Sequence, residues 1–245
     1  MNAQWYWHDH VLTCSLLDGF SHGFFTRAQA PQVPEQLHRQ YFGAGTAYSV
    51  KQVHGDRLWD TQPRDPLPEA DALFTDEPLA STWICSADCV PILIGDRQSG
   101  RVAAIHAGWR GTAANIIPQT LTHLCATGSQ PEHLMIALGP AISGMVYQVK
   151  TSVAEAVLAT IEHTVGILVD PDPERVRLDL RQVQHQQLQE WGIGKHQIAT
   201  APHCTLREPE RFFSYRRVCL ESSTPPAKAP AIQWSGIQHP PQPPI

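Results

Sequence analysis

The sequence predicts one layered domain of mixed α/β (α+β) class. Short β-branched and apolar runs recur between Gly, Pro and Asp, which is the pattern of strands. Longer amphipathic stretches lie between some of them. The two kinds do not alternate strictly, which argues against a doubly wound parallel sheet. At 245 residues with 42% hydrophobic and 17% charged content, the chain can bury a sizeable core as a single unit. We assign residues 1–237 to that domain and 238–245 (QHPPQPPI) to a flexible tail.

Strands are expected at 11–17, 23–26, 47–53, 81–86, 90–95, 102–106, 134–139 and 197–201, with a last one at 231–237. A helix is expected at 151–163, where TSVAEAVLATIEH opens with a cap residue and places Val153, Ala156, Val157, Thr160 and Ile161 on one face. A second is expected at 179–191, ended by Gly192. A third begins near Gly111 and runs toward Cys125, with Pro118 either kinking it or marking its true start. Residues 63–69 (PRDPLPE) and the Pro-rich stretch from Glu221 read as irregular, and no internal repeat is visible.

Composition excludes several functions. The net charge of -5 comes with acidic and basic residues interspersed, so no basic stripe awaits nucleic acid or an anionic membrane. Apolar runs such as 90–94 fall far short of the roughly 20 residues a membrane-spanning helix needs. The N-terminus lacks the basic start and apolar core of a signal peptide, so a cytoplasmic location is expected. The six cysteines are too sparse for a secreted disulfide scaffold and read as thiols. No phosphate-binding or dinucleotide glycine pattern is present.

Three side chains carry the chemistry: His54 in KQVHG, Cys89 in SADCVP and His106 in IHAGWRG. These are ligand types that zinc prefers, and three protein ligands leave a fourth position open for water or substrate. With 13 histidines in the chain, any one alone says little. All three, however, fall at expected strand ends, where rigid backbone can aim side chains into a shared mouth. In HAGWRG, Gly108 and Gly111 permit close approach and keep Trp109 and Arg110 near the metal position. A helix opening near Gly111 would present free N–H groups to a phosphate, with Arg110 as a planar clamp. Asp71 and Asp88 stand open between ligand-orienting and purely structural roles, as Phe24, Phe213 and Tyr215 do between purine stacking and core packing.

Taken in order, KQVHG, ADALFTDEPLASTWICSADCVPILIGD, VAAIHAGWRGT, ALGPAISG and FFSYRR resemble the bacterial multicopper polyphenol oxidase or laccase-domain family, whose members are also described as purine nucleoside phosphorylases. The resemblance spans most of residues 20–217. It implies an α/β/β/α sandwich, a fold shared with a bacterial toxin deamidase. It implies a zinc enzyme that cleaves adenosine, inosine or guanosine with phosphate to free base and ribose 1-phosphate. Methylthioadenosine phosphorolysis and adenosine deamination are implied as companion activities. The family's metal ligands, which are also its catalytic residues, fall on His54, Cys89 and His106. Arg27, Arg110, Ser214 and Arg216, with Arg217 behind them, are the candidates for phosphate or sugar contacts, because guanidinium and hydroxyl groups suit anionic oxygen.

The chain departs from the family pattern at both ends. Arg217 is followed by Val218 and Cys219 rather than Asp-Gly, and no glycines follow Thr26 and Arg27. Rival readings are a metal-free hydrolase or deamidase using Cys89 and His106 as nucleophile and base, and, ranked below it, a zinc-containing binding module closed by Cys85 or Cys204. Copper is less suited than zinc, since blue-copper and trinuclear sites need more paired histidines. The sequence sets no oligomeric state.

Overall fold

The computed structural model of the chain describes residues 3–61, 66–222 and 231–241. In chain order these form β1 (Trp5–His8), β2 (Val11–Cys14), β3 (His22–Phe25), α1 (Pro34–Leu37), β4 (Ala47–Ser49), β5 (Leu58–Asp60), β6 (Ala72–Thr75), β7 (Ser81–Ser86), β8 (Val90–Asp96) and β9 (Val102–Ala107). There follow α2 (Trp109–Ala113), α3 (Ile116–Ala126), β10 (Leu134–Leu138), β11 (Gln148–Lys150), α4 (Thr151–Leu158), β12 (Ile167–Val169), β13 (Arg175–Leu178), α5 (Leu180–Trp191), β14 (Ile198–Thr200), α6 (Tyr215–Glu221) and β15 (Gln233–Gln238). One six-stranded sheet runs β1-β2-β3-β15-β7-β4 and a second runs β14-β10-β8-β9-β6-β5; β11, β13 and β12 form a small third sheet.

Strand alternation builds the layers. In β8 and β9, Leu93, Val102 and Ala104 face the first sheet and pack with its Leu12, Phe24 and Ile84. Their neighbours Ile92, Ile94, Ala103 and Ile105 face the other way, onto Leu121 of α3, Val157 of α4 and Val183 of α5. Trp83, Phe25 and Val11 cover the outer side of the first sheet together with Leu37 of α1. The result is helix, sheet, sheet, helix: the expected four-layer sandwich. All seven residues of β8 are buried. A strand buried on both faces reads as a continuous apolar run, which is why 90–95 was legible.

Several boundaries differ from expectation. The run at 11–17 is strand only to Cys14, then a 3₁₀ turn over Ser15–Leu17. The strand at 47–53 stops at Ser49, after which the chain bends through the Lys51–Glu69 bridge. The helix expected from Gly111 to Cys125 is two helices broken at Asn115, whose φ is +61°, and Pro118 sits in the first turn of the second. There a proline costs no intrahelical hydrogen bond. The helix expected at 151–163 ends at Leu158, because Thr160 and Ile161 tighten into three-residue turns onto Val157 and Leu158. The ordered chain runs past 237: Gln238 closes β15 and His239 is buried. Residues 63–65 of the expected loop, 223–230 of the Pro-rich stretch and 242–245 of the expected tail lie outside the described residues. Among the described residues, no helix is long and apolar enough to cross a membrane.

Candidate metal centre

The β8–β9 hairpin brings two of the three chemical side chains together. Its antiparallel register sets Pro91 opposite His106 and Val90 opposite Ala107, so Cys89, one residue before β8, arrives beside the end of β9. Cys89 and His106 share strand parity with Leu93 and Ala104, so they project at one end of the gap between the sheets. His54 comes from the bend between β4 and β5 rather than from a strand end. Its backbone is left-handed, with φ of +61°. The ligand atoms of His54, Cys89 and His106 lie within 4.8 Å of one another, and the two imidazole rings meet edge to face at 4.8 Å.

Asp71, fully buried at the start of β6, organises both histidines. Its Oδ1 accepts from His106 Nδ1 at 2.8 Å and from the His54 N–H at 2.9 Å. Its Oδ2 accepts from the N–H groups of Gly55 at 2.7 Å and Val53 at 3.1 Å. Three successive backbone N–H groups thus cradle one carboxylate, and this holds His54 in a conformation that non-glycine residues seldom adopt. The bond to His106 Nδ1 fixes that ring's tautomer and leaves Nε2 toward Cys89 and His54. Sequence reasoning left Asp71 undecided; its geometry is that of a residue orienting the two candidate histidine ligands.

Gly108 is required by close approach. A Cβ there would lie 2.7 Å from Cys89 Sγ and 3.8 Å from the His54 ring. Electrostatics couples two of the donors to each other. Burial opposes ionisation of Cys89, but the His106 charge, with hydrogen bonds from His106 and His54, outweighs it and lowers the thiol well below its usual range. Burial likewise opposes the His106 imidazolium, which the Cys89 charge and the bond to Asp71 raise in turn. Without metal the centre is therefore a thiolate–imidazolium pair, and a metal ion bound there would displace the His106 proton. Among the described residues this donor group holds these three side chains and neither Cys85 nor Cys204. Cys204 Sγ instead accepts from the Ser143 N–H at 3.3 Å.

The remaining candidates separate into two groups. Arg110 is exposed on α2, its guanidinium 4.4 Å from the Trp109 ring centre, and Arg216 lies 5.2 Å over the ring of Tyr147. The Arg216 N–H is held by Asp88, the residue before Cys89, so its guanidinium and the Tyr147 ring lie beside the Cys89 segment. Ser214, by contrast, is buried: its hydroxyl donates to Asp88 at 3.0 Å and accepts from the Arg217 N–H to cap α6. Arg217 is committed to the carbonyls of Thr205, Leu206 and Phe212. Arg27 sits over Phe213 at 4.8 Å and bonds the Pro209 carbonyl, and among the described residues no hydrogen bond or ion pair joins it to the triad. Phe24 is inter-sheet core, and Tyr215 is half-exposed on α6.

Helix α2 begins at Trp109, not Gly111, and has five residues, so little helix dipole is available for an anion. Asp88, with φ of +100°, accepts from Thr205 Oγ1, Ser214 Oγ and the Arg216 N–H at 2.6–3.0 Å. It ties α6 to the Cys89 segment, the structural alternative read from the sequence. A cavity of about 440 Å³ between α5 and β14, walled by Asp179, Arg181 and His185, contains none of the triad. Convergent donor atoms, rather than cavity size, place the chemistry.

Residues 23–224 match the family model described as multi-copper polyphenol oxidoreductase laccase. The chain belongs to this family. A Synechocystis sp. protein named purine nucleoside phosphorylase is 45% identical, with 92% of each chain covered. The Escherichia coli protein named purine nucleoside phosphorylase YfiH is 33% identical over 76% of each. Among solved structures, YlmD from Geobacillus stearothermophilus superposes with a TM-score of 0.84 at 23% identity, covering 96% of this chain and 98% of that one. YfiH from Bacillus licheniformis gives 0.81 at 24%, over 94% and 97%. These likenesses establish the laccase-family sandwich for this chain.

Proposed function

We propose that this laccase-family protein is a zinc-dependent purine nucleoside phosphorylase acting on adenosine, inosine or guanosine. The single observation that carries the reading is the convergence of His54, Cys89 and His106 on one point, oriented through Asp71, in a chain whose relatives bear the phosphorylase name. Two imidazoles and a thiolate with no fourth protein donor among the described residues fit zinc better than a hard oxygen-seeking cation. Zinc held by His54, Cys89 and His106 would supply Lewis-acid chemistry at the site.

The chain's own residues do the rest. Asp71 keeps the His106 proton on Nδ1 and the His54 bend closed. Arg110 and Arg216 bind phosphate from two sides of the site and hold it in line with the ribose C1′. Breaking the C1′–N9 bond leaves its electron pair on the purine while a phosphate oxygen bonds C1′. Adenosine deamination and methylthioadenosine phosphorolysis belong to the same proposal, since they present the same purine to the same centre.

The hydrolase reading retains one specific observation: Cys89, His106 and Asp71 form a nucleophile, base and orienting carboxylate in series. That reading uses His54 only to support the Cys89 thiolate, although His54 meets the same point as the other two donors. Resolving products after incubation with inosine or adenosine, with and without phosphate, tests the proposal. Ribose 1-phosphate and free base formed only with phosphate is the expected result. Base release or deamination indifferent to phosphate would favour the hydrolase.

A further inference from the structure

Tyr147 was not singled out by sequence, yet the fold places it beside Arg216 and the segment that carries Cys89. The turn at 142–147 is docked on the Cys89 segment, because the Ile142 N–H donates to the Asp88 carbonyl at 3.0 Å and Tyr147 N–H closes onto the Ser143 carbonyl at 3.0 Å. Asp88 also fixes the backbone of Arg216, whose guanidinium lies 5.2 Å over the Tyr147 ring and donates to the Gln148 carbonyl at 2.9 Å. One residue beside a metal ligand therefore anchors both partners. The ring is half-buried against the helix-side core, and the hydroxyl has no hydrogen-bond partner among the described residues. Burial presses that hydroxyl to stay protonated.

We propose that the Tyr147 hydroxyl is the hydrogen-bond and proton donor to purine N7 as the base departs, a role that rests on the phosphorolysis reading. Arg110 and Arg216 match the anionic half of the reacting pair, whereas a neutral hydroxyl matches the heterocycle, whose N7 is an acceptor. As the C1′–N9 bond breaks toward the purine, Tyr147 gives its proton to N7 and takes the proton released by hydrogen phosphate when a phosphate oxygen bonds C1′. The tyrosine ends as it began, and the products are neutral base and ribose 1-phosphate. No tyrosinate accumulates.

The test compares wild type and Tyr147→Phe, matched for zinc content, on inosine and on 7-methylinosine. The methylated nucleoside carries its positive charge already and needs no proton at N7. Tyr147→Phe keeps the ring beneath Arg216, and should lose about 10-fold or more in kcat/KM on inosine while staying within about threefold of wild type on 7-methylinosine. Calorimetry should show hypoxanthine binding weakened by about 3- to 10-fold in the variant. Equal losses on both nucleosides, or none on either, overturn the assignment. Wild type inert toward both would instead overturn the phosphorylase reading, and the donor role with it.

Discussion

Asp71 shows how much of this site one side chain can hold. Four donors meet its carboxylate, two of them belonging to the histidines themselves. Such orienting partners of metal ligands are typically worth 10–100-fold in affinity. Asp71→Asn should therefore weaken zinc binding by about 10- to 100-fold, measured by competition with a chromophoric chelator. Unchanged affinity in a folded variant would deny Asp71 that role. Gly108→Ala tests the packing of the same centre, since its Cβ would sit 2.7 Å from Cys89 Sγ. We expect the variant to fold and to lose tight zinc binding, visible as substoichiometric metal after dialysis. His54, Cys89 and His106 were legible in sequence because their ligand chemistry is uncommon in combination. Asp71 was not, because an aspartate entering a strand has the same local appearance whether it caps a turn or cradles a histidine.

At the scale of elements, the β8–β9 hairpin aims the centre, and its far end is closed by Asp96. That buried carboxylate accepts from the N–H groups of Gln98 at 2.9 Å and Ser99 at 3.2 Å. Burial works to raise its pKa, but hydrogen bonds from Ser129, Ser99 and the turn amides prevail and lower it. A depressed folded-state value contributes stability that is present above the unfolded-state value near 3.9 and is lost as pH falls through the folded one. Asp96→Asn should thus lower Tm at neutral pH by the equivalent of about 1–3 kcal/mol, with the gap to wild type closing below about pH 4. A gap independent of pH would contradict this.

Elements with strong burial were readable. β8, β9 and β10 are buried throughout and mostly apolar, and α5 announces itself with Asp179 as cap and Gly192 as stop. β5 and β13 (LWD and RVRL) carry too little burial to leave a pattern, and α6 buries no residue at all. The break at Asn115 was half visible: Pro118 marked the start of α3, but nothing in sequence shows that an asparagine will turn left-handed.

Across the whole molecule, two stacked sheets leave a gap whose end gathers residues from distant parts of the chain. His54, Asp71, Cys89 and His106 meet there through sheet order rather than through sequence proximity, and Arg216 and Tyr147 pack beside the Cys89 segment. Ser214 and Arg217 proved to brace that end from behind, which periodicity cannot reveal because it depends on how α6 returns to Asp88. On the proposed reading the triad holds one zinc ion, and phosphorolysis depends on it. That dependence is tested most directly by titrating metal-free protein with zinc and following phosphate-dependent hypoxanthine release from inosine. The rate should rise with added zinc to one equivalent per chain and then stay level. Full activity without metal, or none at one equivalent, would contradict it.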